Sequence, residues 1–151
     1  MMRAKSPIAI ISFNRPDYLS AVLDSIKTQL GNRRIALFQD GAWNEFTKEN
    51  RTDPKLVDEN IALFREKFPS GDVFASDVNI GTAMNIDRAE RWVFETVGSE
   101  TGIFLEDDLV LGPVYFQVIE RLLDLALADD RIGYVTAFGD WKKTSEQQLK
   151  F

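Results

Sequence analysis

Gly102-Ile103-Phe104-Leu105-Glu106-Asp107-Asp108 is a short apolar run that ends in three carboxylates. Apolar runs of this length, bounded by turn signals, read as buried strands. Adjacent carboxylates repel one another and need water, cations or a metal ion to offset the repulsion. Successive strand residues point to opposite faces, so Glu106 and Asp108 are expected on one face and Asp107 on the other. In a parallel sheet these acids stand at a strand's carboxyl end, where open α/β sheets bind ligands. Taken alone, the stretch reads equally well as an acidic turn that caps the next helix.

The flanking sequence favours the sheet. Upstream, Ser76-Asp77-Val78-Asn79-Ile80-Gly81-Thr82 leads into a helix running through Val97, with Met84, Ile86, Ala89, Trp92 and Val93 as inner residues and Gly98 as its stop. Asp72 to Ala75 reads as a short strand near a sheet edge. Before it, Asp53-Pro54 opens a helix with Leu56, Val57, Ile61, Phe64 and Phe68 on or near one face. Arg34 to Gln39 is a second strand ending in Asp40-Gly41. The polar stretch Ala42 to Asp53 then forms a loop long enough to expect function or mobility, with Trp43 either stacking on a ligand or anchoring the loop. At the amino end, Pro7 to Phe13 is an apolar run with a β-branched core. It reads as a strand buried on both faces. Asn14 is placed to cap the next helix, with Pro16 in its first turn and Tyr18, Leu19, Val22, Leu23, Ile26 and Leu30 at helical spacing up to Gly31. Downstream, Pro113 starts an apolar helix from Tyr115 to about Leu127, which Asp129-Asp130 breaks. Ile132 to Phe138 reads as a last strand. Strand and helix thus alternate four times before a final strand. Such an order predicts an α/β fold, a mainly parallel sheet with helices on both faces.

Composition narrows the chemistry. The 151 residues suffice for a real core, and 44% hydrophobic with 28% charged residues is ordinary for a globular protein. No apolar run approaches the length of a membrane span, and the amino-terminal run is interrupted too early for a signal peptide, so the chain reads as cytoplasmic. Cysteine and histidine are both absent. Thiolate sites, disulfides and every histidine-assisted nucleophile are thereby excluded. A metal here would be held by oxygen, which favours Mg²⁺, Mn²⁺ or Ca²⁺. With a net charge of −6 and no basic block, broad nucleic-acid binding is not expected. An acidic protein can still hold a small polyanion through a divalent cation.

The segments after the strands converge on one sheet edge. They bring Asn14-Arg15, Asp40, the Asp77 to Thr82 turn and Glu106-Asp107-Asp108 together. One arginine among carboxylates is either a structural ion pair or part of a metal-bridged diphosphate site. The Gly81 turn either opens a helix N-terminus to an anion or only lets the backbone turn. No Gly-x-Gly-x-x-Gly follows the first strand and no glycine-lysine phosphate loop is present, which disfavours dinucleotide dehydrogenases and P-loop NTPases.

On these residues the chain resembles a family. Ile10-Ile11-Ser12-Phe13-Asn14-Arg15-Pro16, followed by Leu19 and Leu23, is similar to the opening of nucleotide-sugar-dependent glycosyltransferases of the GT-A fold. Asp77-x-Asn79-x-Gly81 followed by Asn85 resembles the central Asn-x-Gly element of the bacterial GT-A transferases. Phe104-Leu105-Glu106-Asp107-Asp108-Leu109-Val110 with Pro113-x-Tyr115-Phe116 resembles the acidic metal motif and following helix of N-acetylglucosaminyltransferase I and its relatives. Asp130 to Phe138 follows that family's next strand in pattern.

The resemblance implies a three-layer α/β/α, Rossmann-like nucleotide-sugar-binding half. Residues 1–141 would form the donor domain, and 142–151 a polar tail that begins a missing acceptor half. Asp108 would ligate Mn²⁺ or Mg²⁺ directly, and Glu106 and Asp107 would hold sugar or ribose hydroxyls or metal-bound water. Asp40 would accept a hydrogen bond from a uracil-type base. Arg15 would meet the base or phosphates, and Asn14, Asn79, Gly81 and Arg88 complete the nucleotide-sugar set. Asn79 also reads as a plain turn residue, and Arg88 as a surface helix arginine. The catalytic base of such enzymes lies further along than Phe151. The chain is therefore expected to bind a nucleotide-diphosphate sugar with metal and to transfer it poorly or not at all. Its acceptor, whether saccharide, lipid or protein, is not specified by these motifs. A different class is also open: a non-catalytic nucleotide-binding or interaction module with the same fold.

Overall fold

The apolar run after Pro7 forms strand β1, Ile8–Ser12, buried at every residue. The computed structural model describes residues 5–137. The chain divides into two compact units, Met1–Pro113 and Val114–Phe151.

In the first unit, β1 leads to α1 (Pro16–Lys27), β2 (Ile35–Gln39), a two-stranded ribbon of β3 (Trp43–Asn44) and β4 (Glu49–Asn50), then α2 (Pro54–Lys67). It continues through β5 (Asp72–Ala75), α3 (Gly81–Arg91), one π-helical turn (Trp92–Thr96) and β6 (Ile103–Glu106). The four longer strands form one parallel sheet in the order β5-β2-β1-β6. The chain builds outward from β1 in one direction, through β2 to β5, and then returns to add β6 on the other side. The order reverses between β1 and β6. Reversal points of this kind leave a crevice at the strands' carboxyl ends.

Alternation along the strands divides their side chains. Ala9, Ile11, Ala36 and Phe38 cluster with Ala89 of α3 and with Trp92 and Val93 of the π turn. Phe38 stacks on Phe74 of the edge strand with ring centroids 4.9 Å apart. The alternate positions Ser12 and Gln39 meet Asn60 of α2. The result is a parallel sheet flanked by helices, as the alternating sequence predicts. Each helix has a local cause. Asp53 caps α2 by accepting from the Lys55 amide at 3.0 Å, with Pro54 at the first position. Leu19, Val22, Leu23 and Ile26 bury the inner stripe of α1.

Several expectations are corrected. Asn14 does not cap α1. Arg15 occupies the cap position without a side-chain capping bond, and the Asn14 amide donates to the Thr52 hydroxyl instead, at 3.0 Å. Pro16 already fixes the first turn, so the helix starts without that cap. Tyr18 and Met84, placed on inner faces by spacing, are 60% and 56% exposed. The loop after β2 is not structureless, because Asn44 accepts from the Phe46 and Thr47 amides and closes the β3-β4 turn.

The second unit contains α4, Tyr115–Leu127, as expected, with Pro113 two residues ahead of it rather than in its first turn. The Asp129 carboxylate closes on the amide and guanidinium of Arg131 just after the helix. The strand expected over Ile132 to Phe138 is absent across 132–137, which take no regular structure, while Phe138 lies outside the described residues. Tyr134 is 86% exposed, so this apolar run is not buried, and a strand needs a ladder partner as well as a pattern. The boundary expected at 141/142 also lies outside the described residues.

The close approach of the β2 end to the segment before α3 makes Gly41 obligatory. A Cβ there would stand 2.5 Å from the Val78 carbonyl carbon and 2.7 Å from the Ser76 oxygen, both backbone. Gly41→Ala should destabilise the fold by roughly 3 kcal/mol. Gly112→Ala, whose Cβ meets nothing within 4 Å, should stay within about 0.5 kcal/mol of wild type. Urea unfolding of the two variants measures the contrast, and equal midpoints would disprove it.

Candidate functional site

An open pocket of ≈ 230 Å³ lies at the carboxyl ends of β1, β2 and β6. Its walls come from Ile11 to Phe13 and Arg15, from Asp40 and Arg51, from the Asn79 to Asn85 segment, and from Glu106 and Asp107. The sequence predicts that the segments after four strands converge at this edge, and residues of all four segments line the pocket.

Asp107 is the centre of one half. It is 2% exposed. Its Oδ2 accepts from the Ser12 hydroxyl at 3.2 Å and the Phe13 amide at 3.1 Å, while Oδ1 pairs with Nη2 of Arg15. Ser12 passes the network on, since Asn60 donates to its hydroxyl at 3.0 Å and to Gln39 at 3.2 Å. The expected alternation holds: Asp107 turns inward towards β1, and Glu106 and Asp108 stay exposed. Arg15 then bridges outward, with Nη1 on Oδ2 of Asp108 at 2.8 Å. Burial works against the guanidinium charge. The attraction and hydrogen bond of Asp107, joined by Asp108, outweigh it and hold Arg15 above the ordinary arginine range.

Asp40 is the centre of the other half. Its Oδ1 accepts from the Gly41 and Ile80 amides at 2.9 and 2.8 Å. Its Oδ2 accepts from the Gly81 amide and the Asn79 side chain, both at 3.0 Å. Four donors fill the acceptor sites of one carboxylate. α3 has no side-chain cap of its own, so Asp40 supplies the negative charge that its N-terminus favours. The Gly81 turn is therefore closed by the protein's own acid, and its φ of +80° explains the glycine. Asn79 spends its second amide hydrogen bond on the Gly41 carbonyl at 3.2 Å.

Three predicted residues are not in the pocket walls: Asp108, tied to Arg15 beside them, and Arg88 and Asn14, which lie elsewhere. Arg88 donates to Asn85 at 3.3 Å and to the Phe74 carbonyl of the edge strand at 3.2 Å, outside the pocket walls. Asn14 ties the turn after β1 to Thr52. Arg51, which the sequence did not single out, does line the pocket. Its one local signal is its place in the polar loop, two residues before the Asp53 cap.

Among the described residues, no three carboxylates are grouped to hold a metal ion. Asp107 is spent on β1 and Arg15. Glu106 and the second oxygen of Asp108 remain at the rim. Two carboxylates do not make a cage; an ion such as Mg²⁺ or Mn²⁺ held by one or two acids needs phosphate oxygens and water to complete its shell. The first unit's helices and α4 alike offer no segment long and apolar enough to cross a membrane among the described residues. No known family model matches the chain, and no curated protein matches it in sequence.

The two acids of the Arg15 bridge should separate cleanly by stability. Asp107→Ala leaves a buried hydroxyl and amide without their acceptor and should cost about 3 kcal/mol. Asp108→Ala removes a partner whose side chain is 34% exposed and should cost less than about 1 kcal/mol. Chemical denaturation of both variants tests this, and equal losses would refute the assignment of Asp107 as the structural member.

Proposed function

We propose that the pocket binds a nucleoside-diphosphate sugar and that the chain is the donor-binding part of a glycosyltransferase with a three-layer, GT-A-like α/β/α fold. One observation carries the reading. A pocket at the β1/β6 reversal point gathers two arginines and the exposed Glu106, with Asp108 held beside it by Arg15. Diphosphate recognition needs cations for phosphate oxygens, and hydroxyl recognition needs carboxylates. In this reading Arg15 meets phosphate, Glu106 takes hydroxyls of ribose or sugar, and Asp108 offers its second oxygen to Mg²⁺ or Mn²⁺. That ion would supply Lewis-acid stabilisation of charge on a departing diphosphate. Asp40 acts indirectly, by fixing Asn79 to Gly81 along the pocket wall, and Asp107 by fixing Arg15. Arg88 and Asn14 act through structure only.

A specific observation favours a second reading, a nucleotide-binding module without catalysis. Both buried acids, Asp40 and Asp107, are filled by the protein's own donors. That leaves the site its rim acids alone for a metal.

Titration calorimetry with UDP, with and without Mn²⁺, tests both. The transferase reading expects binding that Mn²⁺ strengthens and an Mn²⁺ increment that Asp108→Ala removes. Binding indifferent to Mn²⁺ would favour the module. Failure of UDP to bind in either condition would overturn the nucleotide site itself.

A further inference from the structure

A count of the pocket's polar groups isolates one cation. Asp40, Asp107 and the Asn79 amide are filled by the chain itself. Asn85 donates to the Phe38 carbonyl at 2.8 Å and accepts from Arg88. Arg15 is held by two carboxylates. Arg51 remains: among the described residues its guanidinium has no hydrogen-bond or ion-pair partner. Arg65 and Arg121 likewise have no such partner among the described residues, and of the three only Arg51 lines the pocket. Other surface arginines are committed to acids, as Arg34 is to Asp72, Arg91 to Asp87 and Arg131 to Asp129.

The backbone around Arg51 is nonetheless fixed. Its amide donates to the Ala42 carbonyl at 2.8 Å, closing the base of the ribbon. The next residue, Thr52, accepts from Asn14 beside Arg15 at 3.0 Å. The ribbon is pinned on its other side, where the Trp43 carbonyl accepts from the Asn79 amide. An uncommitted guanidinium is thus delivered to the pocket by a braced loop. Planar guanidinium groups bind phosphate in a bidentate fashion. The ≈ 230 Å³ volume is below the roughly 300 Å³ at which pockets hold a whole small ligand, so it suits a phosphate with its adjoining sugar.

We propose that Arg51 is the phosphate anchor of this pocket and that it holds a diphosphate without a divalent cation. The inference rests on the nucleotide-sugar reading and adds to it a binding residue on the ribbon, on the opposite chain segment from the acidic motif. The cation-free contact is independent of Glu106 and Asp108.

Calorimetry in EDTA with inorganic pyrophosphate, UDP and uridine, on wild type, Arg51→Ala and Arg51→Lys, tests it. Wild type should bind pyrophosphate and UDP. Arg51→Ala should weaken both by about tenfold and flatten the salt dependence, and Arg51→Lys should recover part of the loss. Uridine should be unaffected by either change. Melting temperatures should not move, because the side chain holds nothing in the fold. Unchanged affinities in Arg51→Ala would overturn the proposal, as would UDP binding that appears only with Mn²⁺; in both cases the nucleotide reading survives. Arg51-dependent binding of pyrophosphate with no gain from uridine would keep the anchor and remove the nucleotide. Wild type that binds neither phosphate ligand overturns the anchor.

Discussion

A buried carboxylate at the end of β6 fixes the geometry on which the rest of the site depends. Leaving Asp107 ionised and unpaired at 2% exposure would cost several kcal/mol. It is satisfied only because β6 lies beside β1 in a parallel register with Ile11 opposite Glu106. That register sets the next residue, Asp107, against the Ser12 hydroxyl and the Phe13 amide. Arg15 then supplies the countercharge. A slip of one residue in this pairing would turn Asp107 outward and bury Glu106 or Asp108 in its place. The acid therefore reports and enforces the pairing at the point where strand order reverses.

Asp40 repeats the logic at the end of β2. Helix N-termini attract anions through unpaired amides and the helix dipole. In this protein the anion is already part of the chain, and it carries Asn79, Ile80 and Gly81 into position. The two buried acids together turn the strand ends into a rigid frame. The frame's chemistry is consumed in holding itself. What is left to respond to a ligand is Arg51, Glu106, the outer oxygen of Asp108 and the outer side of Arg15. Gly41 belongs to the same frame, since the Asp40 carboxylate reaches Ile80 and Gly81 only if the backbones of Gly41 and Val78 nearly touch.

The parallel strands and their order of appearance were legible because burial on both faces leaves unbroken apolar runs, as in Ile8 to Ile11 and Ile35 to Phe38. The α2 start was legible because Asp53 and Pro54 act within one turn of their own positions. The inward turn of Asp107 followed from strand alternation alone. Other features depend on partners remote in sequence. Asn60 gave no signal on α2, where only apolar residues marked the inner face, yet it is fully buried and joins β1 to β2. Asp40 looked like a ligand-reading acid because nothing local reveals the four donors that reach it. Ile132 to Ala137 has a strand's composition, but composition specifies what can be buried, not whether a neighbour is there to pair. Arg51 stayed hidden for the converse reason: its distinction is an unpaired guanidinium in the pocket wall, and no local pattern encodes that placement.

Arg15 shows how such a frame limits the direction of change. Its two bonds are unequal in surroundings. The Asp107 side is almost wholly enclosed, and the Asp108 side is about one third exposed. Water and salt screen the outer pair, whose net worth is on the order of 1 kcal/mol or less, while breaking the inner one strands a buried charge at roughly 3 to 5 kcal/mol. An anion reaching Arg15 would therefore compete with Asp108 and not with Asp107. The guanidinium can pivot on its inner bond without loosening β1 from β6. The same asymmetry explains why three adjacent acids are tolerated at one strand end. The middle one is neutralised inside the fold, Glu106 stays exposed at the pocket, and Asp108 shares Arg15 at the surface, where its charge costs little.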